Sequence, residues 1–436
     1  MQFIPNILFA IALILGIGFF AKNVKKLIRN IKLGQDVDVS DNKSQRWKNM
    51  TMIALGQSKM VKRPIAGVLH VIVYVGFVII NIEVLEIIID GLFGTHRLFS
   101  KMGTLYGVLI GTFEVLAALV FVSVVIFWVR RNVIKLQRFW KSEMKGWPKN
   151  DGNFILYFEM VLMTLFLVMN ATDVHFQDMN SGNVISQYIA PLFSGLAEST
   201  LHIIERSAWW LHILGILVFL NYLYYSKHLH ILLAFPNTYY GKVNPKGQLN
   251  NLEAVTNEVK MMMDPNADPF AAPEEGAEDE VPAKFGASDV QDLNWVQLLN
   301  AYTCTECGRC TSECPANQTG KKLSPRKIMM DTRDRLEEVG KNIDANGGEF
   351  KDDGKQLLGD YISTEELWAC TTCNACTEAC PVSIDPLSII IEMRRYLVME
   401  QSAAPMELNN MMTNIENNGA PWPYNQMDRL NWANEE

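Results

Sequence analysis

A chain of 436 residues, 49% of them hydrophobic and 20% charged, is long enough for two or three domains. Its net charge of −8, with basic residues gathered in two loops rather than one stripe, excludes a nucleic-acid partner. The composition divides the chain into two unlike halves: long apolar runs up to about residue 235, then a polar, acidic segment from about residue 250.

In chain order, residues 3–21, 64–89, 105–129, 154–169 and 208–235 reach or approach the ~20 apolar residues that a bilayer-crossing helix needs. The opening "MQF" supplies no basic n-region and no small-x-small site follows, so the first segment is expected to be a span, not a cleaved signal peptide. Loop 22–63 carries eleven Lys and Arg against three Asp, and loop 130–149 carries seven against one Glu, which assigns both to the cytoplasmic side. Segment 173–206 has four acids and one Arg and fits the opposite side. The N-terminus is then outside and everything after residue 235 is inside.

Histidine placement carries the chemistry of this half. On the second span His70 lies about two turns from the cytoplasmic end. On the fifth, read as one helix, His212 and His230 are eighteen residues apart, five full turns, so they share a face and sit roughly 27 Å apart along the axis. His70 and His230 therefore share a depth. Two neutral imidazoles facing each other across a bundle are the axial set of a low-spin b haem, which transfers electrons and leaves no open position for substrate. His212 is the ligand candidate for a second haem, although Ile80 and Asn81 stand at its depth on the second span. His228, sixteen residues from His212, is turned about 160° away from that face. His96, His175 and His202 fall at the outer ends, where solvation is the ordinary fate of a histidine, with His175 in range of a second haem. Glu83, Glu86, Glu114 and Glu159 lie in or near apolar spans and are proton-handling candidates, since a buried charge there is costly.

Through its five spans, "GVLH" on the second and "YYSKHLHI" closing the fifth, the region of residues 1–240 resembles the gamma subunit of respiratory nitrate reductase and the cytochrome subunit of membrane-bound heterodisulfide reductase. In the former the second helix carries two ligands ten positions apart; here the later one is missing. The resemblance implies a haem b membrane domain, with one haem or two.

Residues 241–292 are expected to be a linker, acidic and rich in Pro and Ala toward its end, without helical or strand periodicity there. Beyond it, residues 293–436 hold all eight cysteines in two runs. Cys304, Cys307, Cys310 and Cys314 follow C-x2-C-x2-C-x3-C-P, and Cys370, Cys373, Cys376 and Cys380 repeat it. In such a run three closely spaced thiolates cap one iron–sulfur cube and the fourth reaches the other. One [4Fe–4S] cluster should thus take Cys304, Cys307, Cys310 and Cys380, and the other Cys370, Cys373, Cys376 and Cys314. Structural zinc sites instead pair C-x2-C with a distant second pair, and a reducing cytoplasmic location excludes disulfides. Arg309, inside the first run, is a candidate for biasing its cluster's potential, with a solvent-facing arginine the commoner outcome for such a residue. Helices are expected over residues 324–339 and 386–401.

The segment from "LLNAYTCTECGRC" to "LWACTTCNACTEACPVSIDPLSIIIEMRRYLV" resembles the ferredoxin-like small subunit of heterodisulfide reductase, with kinship to iron–sulfur subunits of glycerol-3-phosphate and succinate dehydrogenases. The fold class expected is mainly α, a five-helix transmembrane bundle followed by a helical two-cluster ferredoxin-like domain. Heterodisulfide reductase performs its chemistry in another subunit with CCG motifs, and no adjacent Cys-Cys, dinucleotide fingerprint, Walker loop, nucleophile elbow or zincin helix occurs here. The expectation is an electron-transfer subunit in a bacterial inner membrane and respiratory chain, joining a membrane quinone to a CCG-motif iron–sulfur subunit or other cytoplasmic redox partner. The alternative is a membrane anchor or redox-sensing subunit of a larger assembly.

Overall fold

The computed structural model describes residues 3–265 and 284–434. Five helices are long and apolar enough to cross a membrane. They run Ile4–Ile31, Pro64–Phe93, Thr104–Asn132, Trp147–Thr172 and Glu198–Tyr222. The first four extend past their apolar runs, because the flanking polar turns continue the helix beyond the hydrocarbon. Pro64 and Pro148 occupy first-turn positions, where the missing N–H costs nothing. The first span is only 11% buried in its apolar window and turns Ile7, Leu8 and Ile11 outward, whereas the third is 44% buried and forms the centre of the bundle. Apolar side chains turned outward along a helix of spanning length suit a lipid-facing surface. Small residues set the close approaches: a Cβ on Gly76 would meet Val120 at 2.4 Å, and one on Gly91 would meet the Phe9 ring at 2.6 Å.

The fifth span does not continue to residue 235 as the hydropathy suggests. It stops at Tyr222, passes through 3-10 turns at Leu223–Tyr225 and Lys227–Leu229 with Ser226 extended, and resumes as a separate helix, His230–Tyr240. Buried Asp151 on the fourth span pins this break. It accepts the Tyr222 hydroxyl at 2.6 Å, the Ser226 hydroxyl at 2.7 Å and the Lys227 N–H at 3.1 Å. The five-turn relation between His212 and His230 therefore fails, since no single helix joins them.

The C-terminal domain is helical, with no strand among the described residues. Trp295–Thr303, Pro325–Ala345 and Pro386–Arg395 are its main helices, the second started by the Ser324 side chain accepting from Lys327 N–H. Leu298, Ile328, Leu336, Val339, Ile389 and Met393 fill its core at no exposure. Ala287 and Val290, at the end of the expected linker, are fully buried in the same core, and Glu253–Met263 earlier in that stretch is helical. The linker's composition is read on residues 261–292, of which 266–283 lie outside the described residues.

The two halves share one hydrophobic cluster: Leu27, Phe219, Leu223 and Leu229 pack into the core of the C-terminal domain. Backbone pairs reinforce it, with Gln35 N–H donating to Leu293 C=O at 2.8 Å and Trp295 N–H to Gln35 C=O at 3.1 Å. Gly34 permits that approach, because a Cβ there would fall 2.7 Å from the Leu293 oxygen.

Candidate cofactor sites

Two cysteine-lined cavities occupy the C-terminal domain. Cys304, Cys307, Cys310, Cys376 and Cys380 border the first. Cys314, Cys370, Cys373 and Cys376 border the second. Cys304, Cys307 and Cys310 thus share a cavity with Cys380, and Cys370 and Cys373 share one with Cys314, while Cys376 lines both. The loops achieve this with left-handed backbone at matching places: Glu306 (φ 52) and Gly308 (φ 69) flank Cys307, and Thr372 (φ 56) and Asn374 (φ 58) flank Cys373. Gly308 has a further constraint, because a Cβ would lie 2.6 Å from Arg326 Nη1.

Four thiols around a small cavity suit soft metal centres. Burial pushes Cys304 up to about 12 and Cys380 up to about 11, and a cationic centre would favour their thiolate forms. The donor set fits an iron–sulfur cluster.

At the end of the bundle that meets the C-terminal domain, His70 and His230 face each other, ring centroids 6.4 Å apart and planes inclined by 39°. Two imidazoles on opposite sides of one metal, with bonds of about 2 Å, have centroids about 6 Å apart, so these two residues would fit around a single metal centre. His230 Nδ1 lies 3.1 Å from the Lys227 carbonyl; donating there leaves Nε2 its lone pair for a metal. His70 Nδ1 is buried without a hydrogen-bond partner. His228 stands perpendicular to His230 at 5.4 Å, with Nε2 3.9 Å from Glu159 Oε1.

His212 is elsewhere. It is buried against Phe166, with Nδ1 3.0 Å from the Leu162 carbonyl and no imidazole ring stacked opposite it. Of the membrane acids, Glu114 accepts the Asn170 amide at 3.0 Å and the Ile185 and Ser186 N–H groups at 2.7 and 3.0 Å, a full set of partners that makes it a structural anchor. Glu86 caps the turn at Phe99 N–H at 2.7 Å. Glu83, equally buried, keeps one oxygen without a partner.

Between the histidine pair and the first cysteine cavity runs a buried charge chain that sequence reading missed. Lys227 Nζ donates to Pro148 C=O at 2.6 Å and pairs with Glu306, which also pairs with Arg333 at 2.9 Å. Burial works to raise the Glu306 carboxyl, but Lys227 and Arg333 outweigh it and hold it below its ordinary value. The signal was present, a Lys three residues before His230 and a Glu inside the cysteine run, but nothing in one sequence pairs them. Arg309 corrects the expectation of a solvent-facing arginine. It is 4% exposed and donates to the Lys59 and Met60 carbonyls at 3.1 and 3.2 Å, tying the first run to the turn that precedes His70's helix. Asn237 donates to Val382 C=O at 2.8 Å, and Lys59 to Thr377 C=O and the Ser383 hydroxyl, both at 3.1 Å. The first cavity thus abuts the membrane half. Cys373, bordering the second, is the exposed cysteine.

Residues 303–384 match a 4Fe-4S dicluster domain. The chain is 29% identical, over 98% of its own length and 61% of the relative's, to the "Probable iron-sulfur-binding oxidoreductase FadF" of Bacillus subtilis. It is 24% identical to the "EtfAB:quinone oxidoreductase" of Syntrophomonas wolfei, over 92% of this chain and 55% of that protein. Over 24% of its length it is 36% identical to one polypeptide of the "Ferredoxin/F(420)H(2)-dependent CoB-CoM heterodisulfide reductase" of Methanosarcina acetivorans, covering 52% of that polypeptide. The chain therefore spans little more than half of these relatives, and no solved structure matches it. The chain thus combines five apolar helices with a C-terminal segment matching a 4Fe–4S dicluster domain, and is similar to iron–sulfur oxidoreductases and heterodisulfide reductase subunits.

Proposed function

We propose that this chain relays single electrons between a quinone in the bilayer and a cytoplasmic heterodisulfide reductase-like partner, by way of one b haem and two [4Fe–4S] clusters. When bound, these groups supply one-electron oxidation and reduction at iron. His70 and His230 would hold the haem. Cys304, Cys307, Cys310 and Cys380 would hold the cluster nearer the membrane, and Cys314, Cys370, Cys373 and Cys376 the farther one. The observation that carries the reading is the adjacency of the facing imidazoles and the first cysteine cavity, joined by Lys227. The quinone is supported by the name of the Syntrophomonas relative, and the partner by the heterodisulfide reductase likeness.

The chain's own residues do the positioning. Lys227 fixes the tautomer of His230 with its carbonyl and clamps Glu306 with its ammonium. Arg309 and Asn237 hold the cysteine loops against the inner end of the bundle. The exposed edge at Cys373 is the face open to the partner. Glu83 and Glu159 remain the candidates for handling quinone protons. Basic loops 22–63 and 130–149 support an inner-membrane orientation with the iron–sulfur domain cytoplasmic.

The test is anaerobic addition of a reduced quinol analogue to oxidised protein in detergent, followed by optical and low-temperature EPR spectra. The reading requires a b-type α band and reduced-cluster signals to appear together. Quinol that reduces neither centre in correctly assembled protein refutes it.

A further inference from the structure

At the opposite end of the bundle lies a cavity of about 660 Å³, remote from the cysteines and from His70 and His230. Three chain segments converge on it: the turn after the second span brings His96, the corner ending the fourth brings Asp173, and the fifth span brings Glu205. The ligating atoms of these three all lie within 4.8 Å of one another, with His96 Nε2 3.1 Å from Asp173 Oδ2. His175 stands beside them, its ring centroid 6.1 Å from that of His96, and His202 Nδ1 is 3.9 Å from Glu205 Oε2.

We propose that His96, Asp173 and Glu205 form a binding site for a divalent first-row transition metal ion, with His175 the nearest further donor. Imidazole nitrogen with carboxylate oxygen is a zinc-type donor set. The outer shell is already built. Arg97 Nε donates to Asp173 Oδ2 at 2.6 Å and Arg206 forks onto Glu205, orienting both carboxylates as partners behind metal ligands do. Charge points the same way. Asp90, Asp173, Glu198 and Glu205 line the cavity against Arg206, with Arg97 behind Asp173; four carboxylates less two guanidinium groups leave two negative charges, the complement of one divalent cation. Asp173 and Glu205 are buried, whereas the His96 side chain is 43% exposed and gives the ion a way in from solution. A metal here would staple the outer ends of three spans.

The probe is zinc, titrated calorimetrically into chelator-washed, untagged protein with its prosthetic groups intact, and repeated with cobalt to read the ligand type from the visible spectrum. One equivalent per chain is expected, with weak d–d cobalt bands of a nitrogen–oxygen site and a raised thermal transition. His96→Ala and Glu205→Gln should each weaken zinc at least about 100-fold, beyond the 10- to 100-fold typical of outer-shell changes. The α band and cluster EPR signals of both variants should stay unchanged, which shows that they fold. No stoichiometric zinc, zinc retained by both variants, an intense thiolate-to-cobalt band, or loss of haem on His96→Ala would each overturn the site.

Discussion

The carbonyl of Lys227 lies 3.1 Å from Nδ1 of His230. The ammonium of the same residue pairs with Glu306, inside the loop that carries Cys304 and Cys307. One buried residue therefore touches both candidate redox sites, through its backbone on one side and its side chain on the other. Lys227→Met keeps the carbonyl and removes the charge. Since Lys227 is 10% exposed and Glu306 3%, the loss should cost about 3 kcal/mol, the low end for breaking a buried pair because Arg333 remains. Redox titration monitored by EPR should show a shift in the potential of the cluster nearer the membrane, while the farther cluster keeps its own. Equal shifts at both, or none, would separate Lys227 from the first cavity.

The histidines differ in what faces them. His70→Ala and His230→Ala each remove one half of the facing pair and should abolish the b-type α band in a pyridine haemochrome assay. His212→Ala should leave that band at its wild-type intensity, since His212 faces Phe166 and the Leu162 carbonyl rather than another imidazole. Halved haem content in His212→Ala would establish a second haem and revise the count.

Cysteine substitution tests the crosswise arrangement. Cys380→Ser removes a ligand from the cavity of Cys304, Cys307 and Cys310, not from that of its own neighbours Cys370 and Cys373. Iron content should fall from about eight to about four per chain, and the EPR signal lost should be the one lost in Cys307→Ser, with the signal lost in Cys373→Ser surviving. If Cys380→Ser loses the same signal as Cys373→Ser, the crosswise assignment fails.

The joint between the halves carries a pH dependence. Glu143, in the loop between the third and fourth spans, accepts Arg326 at 2.7 Å and the Ser324 hydroxyl at 2.9 Å. Burial raises its carboxyl, but Arg326 outweighs this and leaves it below the ordinary 4.5. A depressed carboxyl adds stability that is complete above its unfolded value and is lost as pH falls through the folded one. Glu143→Gln should therefore cost about 2 kcal/mol at pH 7. The gap between variant and wild type in thermal unfolding should close as pH drops below 4.5. A gap that persists unchanged into acid would deny the ionised pair its part.

Much of the architecture was legible because its signals are local. Runs of apolar residues locate the five spans, and the cysteine spacing carries the crosswise cavity arrangement within about eleven residues of each run. What escaped was long-range. The polar interruption at residues 224–228 is short and apolar residues resume after it, so it does not disclose that Asp151, about 75 residues earlier, draws in Tyr222, Ser226 and Lys227 and breaks the helix. His230 reaches the depth of His70 through that break rather than along a straight helix. Arg309 was misjudged for the same reason: its partners, the Lys59 and Met60 carbonyls, are about 250 residues away. Glu114 reads as a lone membrane acid until residues 170, 185 and 186 supply its donors.

The most direct measurement is an experimental density map of the purified protein, inspected between the second span and the helix that starts at His230. An iron porphyrin gripped there by the Nε2 atoms of His70 and His230, on the same side as two cubane densities, is the predicted result. Side chains or lipid filling that space, in protein that retains both cubanes, would leave the relay without its membrane entrance and contradict the account.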